Sequence, residues 1–238
     1  MKNGESKKVL IIIPAFNEEQ NIEYVISCVK KELPYYDILV VNDGSWDRTG
    51  HIARELGAIV IDLPYNLGIG ATMQTGYRYA SLNNYHIAIQ VDGDGQHPAN
   101  QIKKLVQVVA DGMADMAVGS RFIVNGGYKP TMPRLIGMRY FSGLLSLILR
   151  QRLTDTTSGF RAVNKGVIDF FSRTYPEDYP EVEALVLLHK SGFKIREVSV
   201  DMKDREGGQS SITPFRSLYY MIKVSLAIFV EMLRKINK

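Results

Sequence analysis

The chain has 238 residues, 45% hydrophobic and 23% charged, the balance of a globular protein of one large domain or two small ones. Its 20 Gly and 9 Pro are too few for a low-complexity or collagen-like chain. The single cysteine, Cys28, excludes an internal disulfide, and the opening MKNGESKKVL lacks the apolar run of an export signal, so a cytoplasmic protein is expected.

In chain order, short apolar runs at Val9–Ile13, Ile38–Val41, Ala58–Ile61, Ile87–Val91 and Met116–Val118 read as buried strands. Between them, Glu18–Leu33, Asp47–Leu56, Ile69–Leu82 and Pro98–Ala110 repeat apolar residues at helical spacing, as in Ile22, Val25, Ile26, Val29 and Leu33. Asn17 is placed to cap the first helix, and Pro98 to open the fourth. This alternation predicts right-handed crossovers and a mostly parallel α/β sheet covered on both faces. After residue 120 the rhythm changes. Leu135–Leu149 is a long apolar stretch, Thr154–Gly159 a polar loop, Val182–Lys190 a short helix, Lys194–Val200 an alternating strand and Ile212–Ile236 an amphipathic helix. The expected units are therefore a catalytic domain over 1–211 and a C-terminal helix over 212–238.

Charge is unevenly spread. Residues 1–120 hold 10 basic and 14 acidic side chains, whereas 121–165 hold 8 basic and 1 acidic, and 194–238 hold 9 and 5. Clustered cations attract phosphates.

In a sheet of this type a ligand sits beyond the carboxyl ends of the strands. The loops there read PAFNE (14–18), NDGSWD (42–47), PYNLGIG (64–70) and DGDGQH (92–97). Asp92, Asp94 and Gln96, spaced by single glycines, supply oxygen donors suited to Mg2+ or Mn2+. An EF-hand is excluded by the His97-Pro98-Ala99 that follows. Such a cation commonly bridges nucleotide phosphates. Asp43 can then accept from a base N–H, Phe16 can flank the base, and Glu18 can accept from ribose hydroxyls. There is no Walker A pattern, and the glycines of NLGIG are misplaced for a dinucleotide fingerprint.

These motifs, in this order, resemble those of the family 2 glycosyltransferases. Gly119-Ser120-Arg121 and Asp155-Thr156-Thr157-Ser158-Gly159-Phe160-Arg161 resemble the branch of dolichol-phosphate mannose synthase and bacterial polyprenyl-phosphate transferases, over about residues 8–211. The resemblance implies a GT-A fold with a Rossmann-like sheet, a nucleotide-diphosphate sugar donor, and inversion at the anomeric carbon. It implies a metal at Asp92, Asp94 and Gln96, donor contacts from Pro14, Phe16, Glu18, Asp43, Asn66 and Gly68, and phosphate-binding cations at Arg121, Arg134 and Arg205. Two departures stand out. The family often has Tyr at the position of Phe16, and its Arg-x-Arg-Gly-x-Ser-Lys stretch reads Arg-Glu-Gly-Gly-Gln-Ser-Ser at 205–211.

The leading expectation is transfer of a sugar, from a UDP-sugar by likeness to bacterial relatives, to a polyprenyl phosphate. Asp94, Asp155, Arg121 and Arg134 are the catalytic candidates, with Asp155 orienting an arginine or its loop and His97 orienting the metal loop. A phosphate nucleophile has a second pKa near 6 and needs no base. The alternative, a sugar hydroxyl in cell-wall or other surface polysaccharide synthesis, needs a carboxylate base, for which Glu181, Glu183 and Asp155 are available. A nucleic-acid-binding module is a third reading, without a recognition motif to support it. Neither late apolar stretch has about 20 uninterrupted apolar residues, so peripheral attachment to the cytoplasmic membrane face is expected. A small membrane-protein partner or self-association through 135–149 or 212–236 would serve the same end.

Overall fold

The computed structural model describes residues 7–123, 132–202 and 214–233, the last two with side chains from 135 and 221 onward. The first half follows the alternation in the sequence: β1 (Val9–Ala15), α1 (Ile22–Glu32), β2 (Asp37–Asn42), α2 (Thr49–Glu55), β3 (Ile59–Asp62), α3 (Ile69–Leu82), β4 (Ile87–Gln90), α4 (Ala99–Ala110) and β5 (Met116–Ser120). The second half is α5 (Met132–Leu149), β6 (Arg161–Asn164), α6 (Lys165–Phe171), α7 (Pro180–Lys190), β7 (Ile195–Ser199) and α8 (Pro214–Leu233).

One expected helix start is displaced. α1 begins at Ile22, after Asn21, and not at Glu18. Asn17 does not cap it: its backbone turns to φ 54° and its side-chain oxygen accepts from the Trp46 amide at 3.1 Å. The polar residues before α1 thus serve a loop contact. Pro98 precedes the first residue of α4 by one position, with φ −68°.

The strands form one seven-stranded sheet in the order β3-β2-β1-β4-β6-β5-β7. Every neighbouring pair is parallel except those made by β6, which is antiparallel to both β4 and β5. The strand order reverses direction between β1 and β4, leaving the crevice in which doubly wound sheets take their ligands. Because β6 runs backwards, the loop leading into it, 154–160, lies on the same edge as the loops that leave the other six strands. β6 and α6 were not anticipated. Four residues beginning with a buried arginine carry too little periodicity to read as a strand.

Side-chain alternation along β1 splits the core. Leu10 and Ile12 face α3 and α5–α8, while Val9, Ile11, Ile13 and Ala15 face α1, α2 and α4. Leu10 through Ile13 are fully buried, each stabilising the fold by about 1.5–3 kcal/mol over an exposed position. A central strand this dry makes a rigid platform for the loops at its carboxyl end. α8 adds to the same core through Val224 and Ile228, and the Tyr140 hydroxyl of α5 meets Ser225 of α8 at 3.0 Å.

Candidate active site

The loops after β1, β2 and β3 are tied into one surface. The Asn17 amide donates to Ser45 Oγ (2.9 Å), the Glu18 amide to Thr49 Oγ1 (2.8 Å) and the Glu19 amide to Asp47 Oδ2 (3.1 Å). Burial pushes the Asp47 carboxyl up, but donors from Thr49 and Glu19 outweigh it and hold Asp47 below the ordinary carboxylate range. Asp43 is buried, and its two oxygens accept from the amides of Leu67 (2.7 Å) and Gly68 (3.0 Å). The aspartate expected to meet a base therefore also fixes the third loop. Gly44 lets that loop pass: at φ +68°, a Cβ here would sit 2.5 Å from the Tyr65 carbonyl carbon. Phe16 stands half-exposed, edge-on to the exposed Trp46 ring at 5.1 Å. Trp46 was only a loop residue in the sequence reading, yet it gives Phe16 an aromatic partner. Glu18 accepts from Asn21 Nδ2 at 2.8 Å. Pro14 is the next-to-last residue of β1, and Asn66 is exposed in the third loop.

At the centre of the edge, just past β4, lie Asp92, Asp94 and Gln96. Asp92 Oδ1 accepts from Gln90 Nε2 at 3.0 Å, and Oδ2 is 3.5 Å from His97 Nε2. His97 Nδ1 accepts from the Asp92 amide at 3.0 Å, so the neutral ring carries its proton on Nε2, toward the carboxylate. The imidazole is buried and stacked on Phe160, centroids 4.7 Å apart. It orients the loop and is not placed as a ligand of its own. Asp94 Oδ1 accepts from the Gln96 amide at 3.1 Å. Two carboxylates and a carboxamide, all oxygen donors on half-buried side chains, fit Mg2+ or Mn2+ with coordination positions left for oxygens from outside. Among the described residues no group of three or more His, Cys, Asp or Glu side chains is gathered.

The remaining cationic machinery sits on the right half of the sheet. Arg121, just past β5, donates from Nε to Asp155 Oδ2 (2.7 Å) and from Nη2 to Oδ1 (2.8 Å), a bidentate pair. The Asp155 side chain is fully buried and that of Arg121 is 8% exposed. Asp155 thus holds the Arg121 guanidinium through both carboxylate oxygens, and its side chain is enclosed by protein. It takes the Nε/Nη2 edge of the guanidinium, and Nη2 also lies 3.4 Å from Thr157 Oγ1. A Cβ on Gly159 would lie 2.8 Å from Gln90 Nε2 and 3.1 Å from Asp92 Oδ2, so this loop rests directly against the metal-type residues. The backbone of Arg134 lies in the first turn of α5, but its side chain falls outside the described residues, as does all of Arg205.

Arg161 and Glu197 were missed as contributors, while Glu181, named as a candidate base, lies beside Arg161. Arg161 is 2% exposed and bridges the loop to the first turn of α7, donating to the carbonyls of Ser158 (2.7 Å) and Glu181. Glu181, half-buried, has its carboxyl raised by burial, with Arg161 opposing and Asp92 adding to the rise; Glu181 therefore shares the electrostatic environment of the metal-type loop. Glu197 on β7 receives the amides of Thr154 and Asp155. Its one mark in the sequence is a lone acid in the alternating KIREVSV stretch, which does not say which face it takes.

The profile described as "Glycosyl transferase family 2" matches residues 10–171, which span the loops above and stop before α7 and β7. The chain belongs to glycosyl transferase family 2. Among its relatives, polyprenol monophosphomannose synthase of Mycolicibacterium smegmatis is 28% identical over 231 residues, covering 92% of this chain and 86% of that protein. The UDP-N-acetylglucosamine:dolichyl-phosphate N-acetylglucosaminyltransferase of Methanococcus voltae is 31% identical over 215 residues, covering 82% and 85%. Glucosyl-3-phosphoglycerate synthase of Mycobacterium tuberculosis, solved with Mn2+, UDP and phosphoglyceric acid, superposes with a TM-score of 0.74 at 18% identity, over 98% of this chain and 80% of that one. That superposition shows the GT-A fold, with the mostly parallel sheet expected from the sequence.

The buried pair of this family 2 transferase gives a direct test. Removing one partner of an enclosed ion pair leaves an unpaired charge, so D155A should destabilise the protein by about 3–5 kcal/mol in urea unfolding. The double variant D155A/R121M should recover most of that loss. A cost below about 1 kcal/mol for D155A would mean that the pair is solvated and holds nothing in place.

Proposed function

We propose that this transferase moves a sugar from a nucleotide-diphosphate sugar, a UDP-sugar by preference, to the phosphate of a polyprenyl lipid, with inversion. The observation that carries this reading is the pairing, on one sheet edge, of an all-oxygen metal loop with a guanidinium locked in orientation by a buried aspartate. A donor diphosphate and an acceptor phosphate repel each other, and two separate cationic groups are what their joint binding requires. A divalent ion at Asp92, Asp94 and Gln96 would supply charge neutralisation for the diphosphate. The loops of Phe16, Asp43 and Gly68 would hold the nucleoside beside it, on the left half of the sheet. Arg121, held by Asp155, would supply guanidinium charge to the acceptor phosphate on the right half, where Arg134 is the second candidate. That phosphate is largely dianionic at neutral pH, so its oxygen attacks the anomeric carbon as the bond to the nucleoside diphosphate breaks, without a protein base. The names of the mycobacterial and archaeal relatives, a polyprenol monophosphomannose synthase and a dolichyl-phosphate transferase, support the acceptor class.

A second reading has one observation in its favour. Glu181 lies in the first turn of α7 beside Arg161, and burial raises its carboxyl, with the charge of Asp92 adding to the rise. A hydroxyl acceptor in polysaccharide synthesis would need such a group.

The two readings separate in one assay. Supplied with Mn2+, labelled UDP-glucose, UDP-N-acetylglucosamine or GDP-mannose, and undecaprenyl phosphate, the chain should place label in the organic extract. D94A should lower that transfer at least about a thousandfold, and E181Q should retain it within about tenfold. Label confined to water-soluble oligosaccharide, with E181Q inactive, would establish the second reading in its place.

A lipid acceptor requires the enzyme to reach a bilayer. Among the described residues no helix is long and apolar enough to cross one. α8 instead exposes Ile222, Leu226, Phe229, Val230 and Leu233 along one face, and α5 exposes Ile136 and Leu147. We assign this joint apolar surface, with exposed Arg139, Arg150 and Lys223 nearby in sequence, to the headgroup boundary of an anionic membrane. L226E/F229E should reduce binding to phosphatidylglycerol-containing vesicles at least tenfold in sedimentation. Unchanged binding, or a parent chain that ignores the vesicles, would contradict the assignment, and a stable dimer that buries Leu226 and Phe229 would name a second copy as the cover.

A further inference from the structure

Asp155 can aim Arg121 only if its own backbone is fixed, and the groups that fix it come from β7. Glu197 accepts from the Thr154 amide through both oxygens (2.8 and 2.9 Å), from the Asp155 amide through Oε1 (2.7 Å) and from the Thr154 hydroxyl through Oε2 (2.9 Å). The same hydroxyl meets Ser120 Oγ at 2.7 Å, and Ser120 Oγ accepts from the Phe122 amide at 3.2 Å. The chain on both sides of Arg121 is therefore linked to this one carboxylate. Burial pushes the Glu197 carboxyl up and the charge of Asp155 adds to the rise, while the donors from Asp155 and Thr154 oppose it.

A packing role alone needs no acid here. Four hydrogen bonds into one half-buried carboxylate on the edge strand make sense when the held loop must not shift, because a bidentate guanidinium pair loses its geometry over a fraction of an ångström. Glu197 lies beyond residues 10–171, the span that the family profile matches.

We infer that Glu197 is a positioning residue, fixing the Thr154–Asp155 turn so that Asp155 holds the Arg121 guanidinium in line for the acceptor phosphate. The acceptor part rests on the function proposed above. The hydrogen-bond pattern defines which substitutions succeed. In E197Q the amide oxygen can keep both backbone N–H donors. Its NH2 group then donates to Thr154 Oγ1, whose own proton turns to Ser120 Oγ. E197D cannot span both amides, being one carbon shorter, and E197A offers no acceptor.

The test uses the full chain with 15N-labelled arginine, the Arg121 Nε–H signal being assigned by its loss in R121K. In E197A the exchange of this proton with water should quicken at least tenfold, in E197D by a smaller factor in the same direction, and in E197Q by less than twofold. Should E197A fail to fold, E197D and E197Q still decide the matter. Calorimetric affinity for farnesyl phosphate should fall at least fivefold in E197A or E197D while the affinity for UDP with Mn2+ stays within twofold. Arg121 exchange unchanged in the shortened variants overturns the proposal. It is overturned equally if R121K loses farnesyl phosphate binding and E197A and E197D keep it. If exchange quickens but neither R121K nor the Glu197 variants affect farnesyl phosphate, the acceptor assignment of Arg121 fails, and the positioning of its side chain by Glu197 stands.

Discussion

One strand running against its neighbours decides how this molecule can work. Were β6 parallel to β4 and β5, the loop of Asp155 would leave the sheet at the opposite edge from Asp92. Its reversal instead seats Gly159 against Asp92 and Gln90, and pairs Arg161 with Gln90 across the ladder. The cost is a buried arginine at a sheet position that would otherwise be apolar. That charge is met by carbonyl oxygens of the 158 turn and of α7, which ties the right half of the site to the same strand.

The sheet thereby divides the work. Loops after β1, β2 and β3 brace one another through short side chains, Ser45, Thr49, Asp47 and Asp43, each of which hydrogen-bonds a backbone amide of a neighbouring loop. Loops next to β5, β6 and β7 are braced by acids, Asp155 and Glu197, around a cation. Between them sits the oxygen-donor loop after β4. Polar groups held this firmly on a dry scaffold need little reorganisation when charge develops beside them, which is how preorganised sites lower barriers. Partly satisfied networks of the same kind would be destabilising, so the density of hydrogen bonds around Thr154 and Asp155 is itself part of the design.

Much of this was legible in the chain. β1, β2, β4 and β5 could be read because parallel interior strands are continuous apolar runs, and the loops after them because glycines, acids and amides follow such runs abruptly; β3, read as buried from the same kind of run, is the edge of the sheet, with Ile59 and Asp62 exposed. Asp92, Asp94 and Gln96 stood out for that reason. What escaped notice depends on tertiary partners. Asn17 has the composition of a helix cap, yet its side chain is claimed by Trp46, from a loop that only the fold brings near. β6 is too short to show a period, and Arg161 at its start looks like a solvent residue until the sheet closes over it. Arg121 reads as a cation for a phosphate and Asp155 as a residue orienting an arginine or its loop; the structure shows that the arginine is Arg121, with Asp155 on one edge of its fork. Glu197 is a single acid in an alternating strand, and nothing in KIREVSV distinguishes an exposed face from one that meets the Thr154 turn.

The claim on which the account turns is that the loop closing β4 holds a divalent ion between a nucleotide on one side and the Arg121 loop on the other. Anomalous scattering from crystals soaked with Mn2+ and UDP measures this directly. The account predicts a manganese peak about 2.0–2.4 Å from carboxylate oxygens of the Asp92–Asp94 pair, with the diphosphate against it and the uracil between Phe16 and Asp43. Manganese bound away from both aspartates, or a nucleotide lodged in some other part of the molecule, would contradict it.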